Sequence, residues 1–347
     1  MSARRLLVFG GIALIAAGML FGDIFAVFVL HQNAAQQGDA LIMASRAVAE
    51  GNAEAVGRVF GNLGSLLEDR GTKVDAHVHM IGAGYLALML ALVQAYISLT
   101  PKTKRLMAAL FLAGGTLLPI GIFAIHYVGL AYSPFAVIGW ASILADSAGA
   151  LLILVLVVEA WGFRIYLRTR ELTEPVLSDD DSWPRRALLS GGTLLVLLGF
   201  LHGAWYAGAY LYEHERMETT ILQGMMTSAT AADMVTVTTQ VNDFGNLAGA
   251  RAVNIAAHSH IIEFGLLAML LSFIQPYVFL SEKWKRRWTQ VLLAGSLILP
   301  VFVLLELKLG LFAGGVADFG GLMVIVALTG MLVGVLRYTG HLDGVAL

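Results

Sequence analysis

The chain has 347 residues, 58% of them hydrophobic and only 13% charged, with a mean hydropathy of +0.77 and a formal net charge of −2. That balance excludes an ordinary soluble domain and points to a polytopic membrane protein, and no basic stripe of the nucleic-acid-binding kind is present. There is no cysteine, which excludes disulfides, thiolate metal sites, Cys-ligated iron–sulfur clusters and covalent c-type haem attachment.

The first predicted element is an apolar run over 6–30 behind Arg4 and Arg5. It is long enough to cross a hydrocarbon core of about 30 Å, so it reads as a span rather than a cleaved signal peptide. A longer segment, 32–75, follows, and its run "GDALIMASRAVAEGNAEAVGRVFGNLGSLLEDR" predicts short helices capping a membrane bundle. Three more spans are predicted over 76–98, 106–131 and 137–162. The stretch "ELTEPVLSDDDSWPRR" (171–186) reads as a polar linker. Beyond it come spans over 187–212, 253–280, 289–312 and 317–338, with a second outer segment over 213–252.

The chain is one unit written twice. His77 matches His258 (258 − 77 = 181) and Pro119 matches Pro300 (300 − 119 = 181). "LAGGTLLP" (112–119) lies over "LAGSLILP" (293–300), Gly10-Gly11 over Gly191-Gly192, and "FGNL" at Phe60 recurs at Phe244 after a small gap. Breakers and spans that repeat together indicate duplication. The expected fold is therefore all-α, with about eight transmembrane helices in two tandem four-helix repeats, 1–170 and 187–347. With an even number of spans each, the repeats share one orientation and should be related by a pseudo-two-fold axis along the membrane normal. The basic turns "TPKTKR" (100–105), "FRIYLRTR" (163–170) and "SEKWKRR" (281–287), with Arg4-Arg5 and Arg185-Arg186, all fall on one side. The positive-inside rule makes that side, and both termini, cytoplasmic in a bacterial inner membrane.

Histidine is the informative residue. The second span opens "AHVHMIGAGYLALML", with His77 and His79, and the sixth opens "AHSHIIEFGLLAML", with His258 and His260. His126 lies towards the outer end of the third span and His202 inside the fifth. His31 ends the first span, His214 falls in an outer segment and His341 in the tail. Most of them gather near the outer face. Ionisable side chains inside a membrane are costly and suggest a functional site by default. Residues i and i+2 of a helix point about 200° apart, so a His-x-His pair serves two sites on opposite sides of its helix. That suits two haems, or a haem and a metal, better than one zinc ion. Copper or another metal without haem, and polar contacts between helices, are the alternatives.

The two His-x-His segments resemble the His-x-His helix of subunit I in haem–copper oxidases and nitric oxide reductases, and smaller membrane haem proteins of the NnrS type. The resemblance covers about fifteen residues per copy and includes the preceding alanine, the following glycines and the apolar helix. It implies haem ligation by His77, His79, His258 and His260. Oxygen reduction is not carried over, because no adjacent His-His pair for copper is found. His126 and His202 are candidate second axial ligands. The halves have diverged there, since His126 matches Leu307 and His202 matches Phe21, with Asp23 nearby. Glu263, one turn from His260, and Asp146 are candidate proton-relay residues, and Glu306, Lys308, Asp318 and Glu159 are further polar residues within spans. Thirteen methionines fit lipid-facing or core filling better than a copper route. The expected function is a b-type cytochrome passing electrons near the outer face. It would act as a subunit of a respiratory or oxidase assembly, or as an O2- or NO-binding haem protein. The expected partners are the bilayer and a redox protein or other membrane subunits. The alternative is a copper or other metal-binding or transport protein, or a structural accessory subunit.

Overall fold

The computed structural model describes residues 2–26, 31–128, 140–173, 182–206, 209–210 and 212–338. The described residues form ten α-helices: α1 Ala3–Phe25, α2 His31–Ala49, α3 Ala53–Val93, α4 Pro101–Val128, α5 Trp140–Thr169, α6 Trp183–Tyr206, α7 Tyr212–Thr230, α8 Met234–Ile274, α9 Glu282–Leu309 and α10 Leu311–Arg337. No strand occurs among them. All but α2 and α7 are long and apolar enough to cross a membrane. On α5, Ile153 is 65% and Val157 60% exposed. Faces of that kind are stable only against lipid or protein, so the molecule is a membrane-embedded helical protein.

Three pairs of helices begin 181 residues apart, 31 and 212 for α2 and α7, 53 and 234 for α3 and α8, 101 and 282 for α4 and α9, whereas α5 and α10 begin 171 apart. The local devices recur at the same offset. Asn52 Oδ1 caps α3 by accepting from Ala55 N–H at 3.0 Å, and Asp233 Oδ1 caps α8 by accepting from Thr236 N–H at 3.2 Å. Ser98 N–H donates to Gly162 O at 3.1 Å, and Phe279 N–H to Gly334 O at 2.9 Å; here the donors are 181 apart and the acceptors 172. Gly11 of α1 meets Gly84 of α3, and Gly192 of α6 meets Gly265 of α8. A Cβ at any of the four would come within 3.0 Å of the facing glycine carbonyl. This is the close backbone approach that small residues give membrane helices. In the second half, α9 passes into α10 through the single residue Gly310, at φ +60°, a left-handed conformation that costs glycine little.

One region departs from the sequence expectation. Each outer segment holds one helix of 19 residues, α2 or α7, but the rest of the segment is not a further short helix. Instead α3 and α8 each run unbroken for 41 residues, about 60 Å at 1.5 Å per residue. No proline interrupts 53–93 or 234–274, and isolated glycines such as Gly71 weaken a helix without ending it. The first twenty or so residues of each long helix project beyond the bundle and pack with α2 and α7. Met225, Ala229, Val237 and Val241, with Leu41, Ile42 and Phe244 around them, form the core of this helical cap. Because α3 and α8 are equal in length and offset by 181 at both ends, the two "FGNL" copies, 244 − 60 = 184 apart, sit three residues out of register. The expected small gap is not seen as an insertion.

The basic stretches also differ from expectation. Residues 101–105, 164–169 and 283–287 are the first or last turns of α4, α5 and α9 rather than loops. Helix α6 starts at Trp183, inside the expected linker, whose residues 174–181 lie outside the described ones. The start of α1 and the end of α10 are at this basic end: Arg5 Nη2 of α1 donates to Leu336 O of α10 at 3.4 Å. The cap is at the far end. A continuous core joins both halves, from Leu7, Ile12 and Ile15 of α1 through Leu88 and Phe111 to Leu267, Leu271 and Leu328.

Candidate functional site

The far-end half of the bundle holds His77, His79, His202, His258 and His260. His77 sits on α3, where the long helix enters the bundle, and its Nδ1 is 2.7 Å from the carbonyl oxygen of Gly18 on α1. His258 of α8 repeats this against Gly199 of α6 at 2.9 Å. Both offsets are again 181. A carbonyl only accepts, so each Nδ1 donates its hydrogen, and this bond leaves the Nε2 atom of each ring unused.

Glycines seat these rings. A Cβ on Gly22 would lie 2.4 Å from His77 Cε1, and a Cβ on Gly203 would lie 2.4 Å from His258 Cε1. Gly18 and Gly22, and likewise Gly199 and Gly203, are one turn apart and form a groove on the neighbouring helix. The signal for them was in the sequence, as "GMLFG" (18–22) and "GFLHG" (199–203) at the common offset. Reasoning centred on ionisable residues passed over them.

The second histidine of each pair goes elsewhere, as a turn of about 200° requires. His260 stacks on Phe264 at 5.8 Å between ring centroids, lies 4.0 Å from Glu263 Oε2, and is within electrostatic range of His77 across the α3–α8 contact. Tyr85 OH of α3 donates to the backbone carbonyl of Glu263 at 2.8 Å, pinning the two long helices together. Tyr85 was also missed. Its only sequence signal is a tyrosine in an apolar span where the matched position is Leu266. His79, the counterpart of His260, is exposed and donates through Nδ1 to Asp75 O of its own helix at 2.7 Å.

His202 of α6 is brought to His258. Their ring centroids are 6.4 Å apart, with 35° between the planes. Both His202 ring nitrogens are out of solvent contact and make no hydrogen bond of good geometry, although Asn254 is near enough to interact. An aromatic cluster leads from this pair into the cap. Trp205 lies 5.9 Å from His202, Tyr210 4.8 Å from Trp205, and Tyr206 OH 3.1 Å from His214 Nδ1. His214 is on α7, in the cap.

The remaining candidates are scattered. His126 is on α4 with its side chain outside the described residues, His31 opens α2 rather than ending the first span, and His341 lies outside the described residues. Asp146 is exposed on α5. Asp23 of α1 faces α10 at Gly321, within electrostatic range of Asp318. Glu159 is buried towards the basic end of α5, where its Oε2 accepts from Gln94 Nε2 at 3.3 Å; Lys104 Nζ donates to Gln94 O at 2.6 Å. Among the described residues no three His, Asp or Glu side chains converge as a metal-ligand set. Among the described residues one pair of imidazoles, His202 and His258, comes together.

The fold defines a class, an eight-span α-helical membrane protein with a helical cap at one end. Comparison with protein-family models, with curated proteins and with solved structures finds no match.

Proposed function

We propose that the chain is a membrane-bound b-type cytochrome that passes electrons at the far end of its bundle. The matched seating of His77 and His258 carries this reading. Each ring is oriented through Nδ1 by a glycine carbonyl on the next helix, and each Nε2 is left as a directed ligand atom. This is the outer-shell arrangement that fixes the tautomer and direction of metal-bound imidazoles. Haem iron needs only one or two such nitrogens, because the macrocycle supplies the others. A structural zinc ion needs four protein ligands. The buried ring nitrogens of His202 suit the same group, since they gain a bond in place of lost hydration.

Haem supplies a reversible one-electron couple when bound. The residues of this chain do the rest. Gly18 and Gly199 hold the ligand rings in orientation, while Gly22 and Gly203 admit them to the helix interface. The apolar helices around them exclude water, which helps set the potential. The Tyr85 hydrogen bond keeps α3 and α8 in register. Glu263, 4.0 Å from His260 Nδ1, is placed to take or give a proton at that atom. The aromatic cluster from Trp205 to His214 gives electrons a short route between His202 and the cap.

The positive-inside rule makes the basic end cytoplasmic, with both termini, and sets the cap and histidines at the outer face of a bacterial inner membrane. The offset of 181 shared by α2, α3 and α4 with α7, α8 and α9 supports a pseudo-two-fold relation between the halves along the bundle axis. The partners are the lipid bilayer and a redox protein or other membrane subunits.

Pyridine haemochrome quantitation on protein purified from haem-replete cells tests the reading. It predicts one or more haem b per chain. Folded, monodisperse protein carrying stoichiometric copper and no haem would refute it in favour of a copper site.

A further inference from the structure

We infer that two copies of the chain form a two-fold dimer in the membrane, with α5 of each copy seated on α6 of the other. The chain makes one joint between the first helix of one half and the last helix of the other, and it carries both sides of a second. In the joint it makes, α1 packs against α10. Arg5 Nη2 donates to Leu336 O at the basic end, and a Cβ on Gly321 would lie 3.1 Å from Asp23 Oδ1 towards the far end. Arg5, Ile12 and Asp23 are spaced by seven and eleven residues, so they share one face of α1, and Ile12 is fully buried. Leu328 and Val335 follow Gly321 along α10 at intervals of seven and are buried too.

The last helix of the first half is α5, and the first helix of the second is α6. The acceptors Gly162 and Gly334 match α5 to α10 at an offset of 172. Gly321, Leu328 and Val335 then correspond to Gly149, Leu156 and Phe163 of α5. Nothing lies within 4 Å of a Cβ on Gly149, and Leu156 and Phe163 are 36% and 41% exposed, against 0% and 1% for their matches. On α6, Thr193 stands in place of Ile12 and Leu189 in place of the buried Val8, and both are exposed. Among the described residues α5 packs on α4 and on the turn after α3, and makes no comparable seam with α6. The two faces left open are the two sides of the joint already made.

Lipid is a poor occupant of this face. The exposed Trp140 and Trp161 stand 21 residues apart on α5, about 30 Å, the separation of the two aromatic belts of a membrane. Asp146 lies between them and is exposed. An ionisable side chain within a span is costly against lipid and almost always faces protein or water. Its match on α10, Asp318, stands at the α1 joint, within electrostatic range of Asp23. On α6, Ser190 and Thr193 are the small polar residues that membrane helices use where they pack. A second copy supplies an α6 for each α5 and an α5 for each α6. Two such joints related by a two-fold axis close the assembly and leave no face over.

Cross-linking in the native membrane tests the dimer, because the chain has no cysteine of its own. The pair that matches Gly321 and Asp23 is Gly149 and Ala204 (23 + 181 = 204). Two differently tagged chains, one Gly149→Cys and one Ala204→Cys, are co-expressed and treated with a short bis-maleimide. They should give a covalent dimer carrying both tags, and Gly149→Cys alone should give none. The Asp23→Cys, Gly321→Cys chain should cross-link within itself and serves as the control. Adding Leu156→Trp should cut the product between copies severalfold and leave the internal product unchanged, which shows that the variant still folds. No product between copies, with the internal control working, would overturn the dimer. A Gly149→Cys, Ala204→Cys chain that cross-links only within itself would also overturn it, by showing that α5 and α6 close on each other. None of these readouts needs bound haem, so the cytochrome reading stands or falls separately.

Discussion

At the scale of single residues, the account depends on where an imidazole can point. A glycine on the facing helix, rather than the histidine itself, sets that direction. Gly203→Ala would put a Cβ 2.4 Å from His258 Cε1. The ring must then leave its seat, at the cost of about 1–3 kcal/mol typical of overpacking. We expect lowered haem occupancy, measured as haem per chain, for Gly203→Ala. Gly149→Ala is the control: nothing lies within 4 Å of its Cβ position. It should leave haem content unchanged and gain about 0.5–1 kcal/mol of helix stability. Tyr85→Phe removes one hydrogen bond to Glu263 O, worth about 1 kcal/mol. It should lower thermal stability slightly while leaving the haem spectrum intact. If the spectrum changes as well, Tyr85 is part of the haem site.

At the scale of elements, the two caps on the long helices invite direct tests. Asn52→Ala removes the side-chain acceptor at the start of α3 and should destabilise the outer cap by about 1 kcal/mol, read as faster amide exchange over the first turns of α3. Asp233 is also an ionisable cap. Hydrogen bonds from the Thr236 hydroxyl and amide hold its carboxyl below the usual carboxylate range. A carboxyl depressed on folding contributes stability above its unfolded value and loses it as pH falls through the folded value. The start of α8 should therefore exchange faster on acidification, and Asp233→Asn should remove that pH dependence. Equal acid sensitivity in both proteins would mean the cap does not contribute.

The same scale shows what the sequence could and could not carry. The membrane spans were legible because apolar length is a direct readout of bilayer thickness. The recurrence of motifs was legible in the shared offset of His77, Pro119 and Gly10-Gly11 from their partners. The continuity of α3 and α8 was not, because polar composition over 53–75 resembles a loop and only the lack of a breaker speaks for a helix. The separation of the two histidines in each pair followed from helix geometry. Which neighbour each ring meets did not, since helix rotation is fixed by packing at Gly11–Gly84 and Gly192–Gly265. His202 could be proposed as a ligand from its sequence position, but its approach to His258 is tertiary.

At the scale of the whole molecule, the basic turns of α4, α5 and α9 and the Arg5–Leu336 contact between the start of α1 and the end of α10 share one end, while α2, α7 and the starts of α3 and α8 share the other. The absence of native cysteine makes this orientation easy to read. In intact cells, Val235→Cys on the cap should react with a membrane-impermeant maleimide, whereas Glu282→Cys at the basic end should react only after permeabilisation. The reverse pattern would place the histidines on the cytoplasmic side. The central claim is that His258 and its counterparts hold haem. The most direct measurement is the dithionite-reduced minus oxidised absorption spectrum of the purified protein, recorded for the wild type and for His258→Ala. The account predicts a sharp α-band in the wild type that is lost or broadened in His258→Ala. A wild type with no α-band, or an identical band in both proteins, would contradict it.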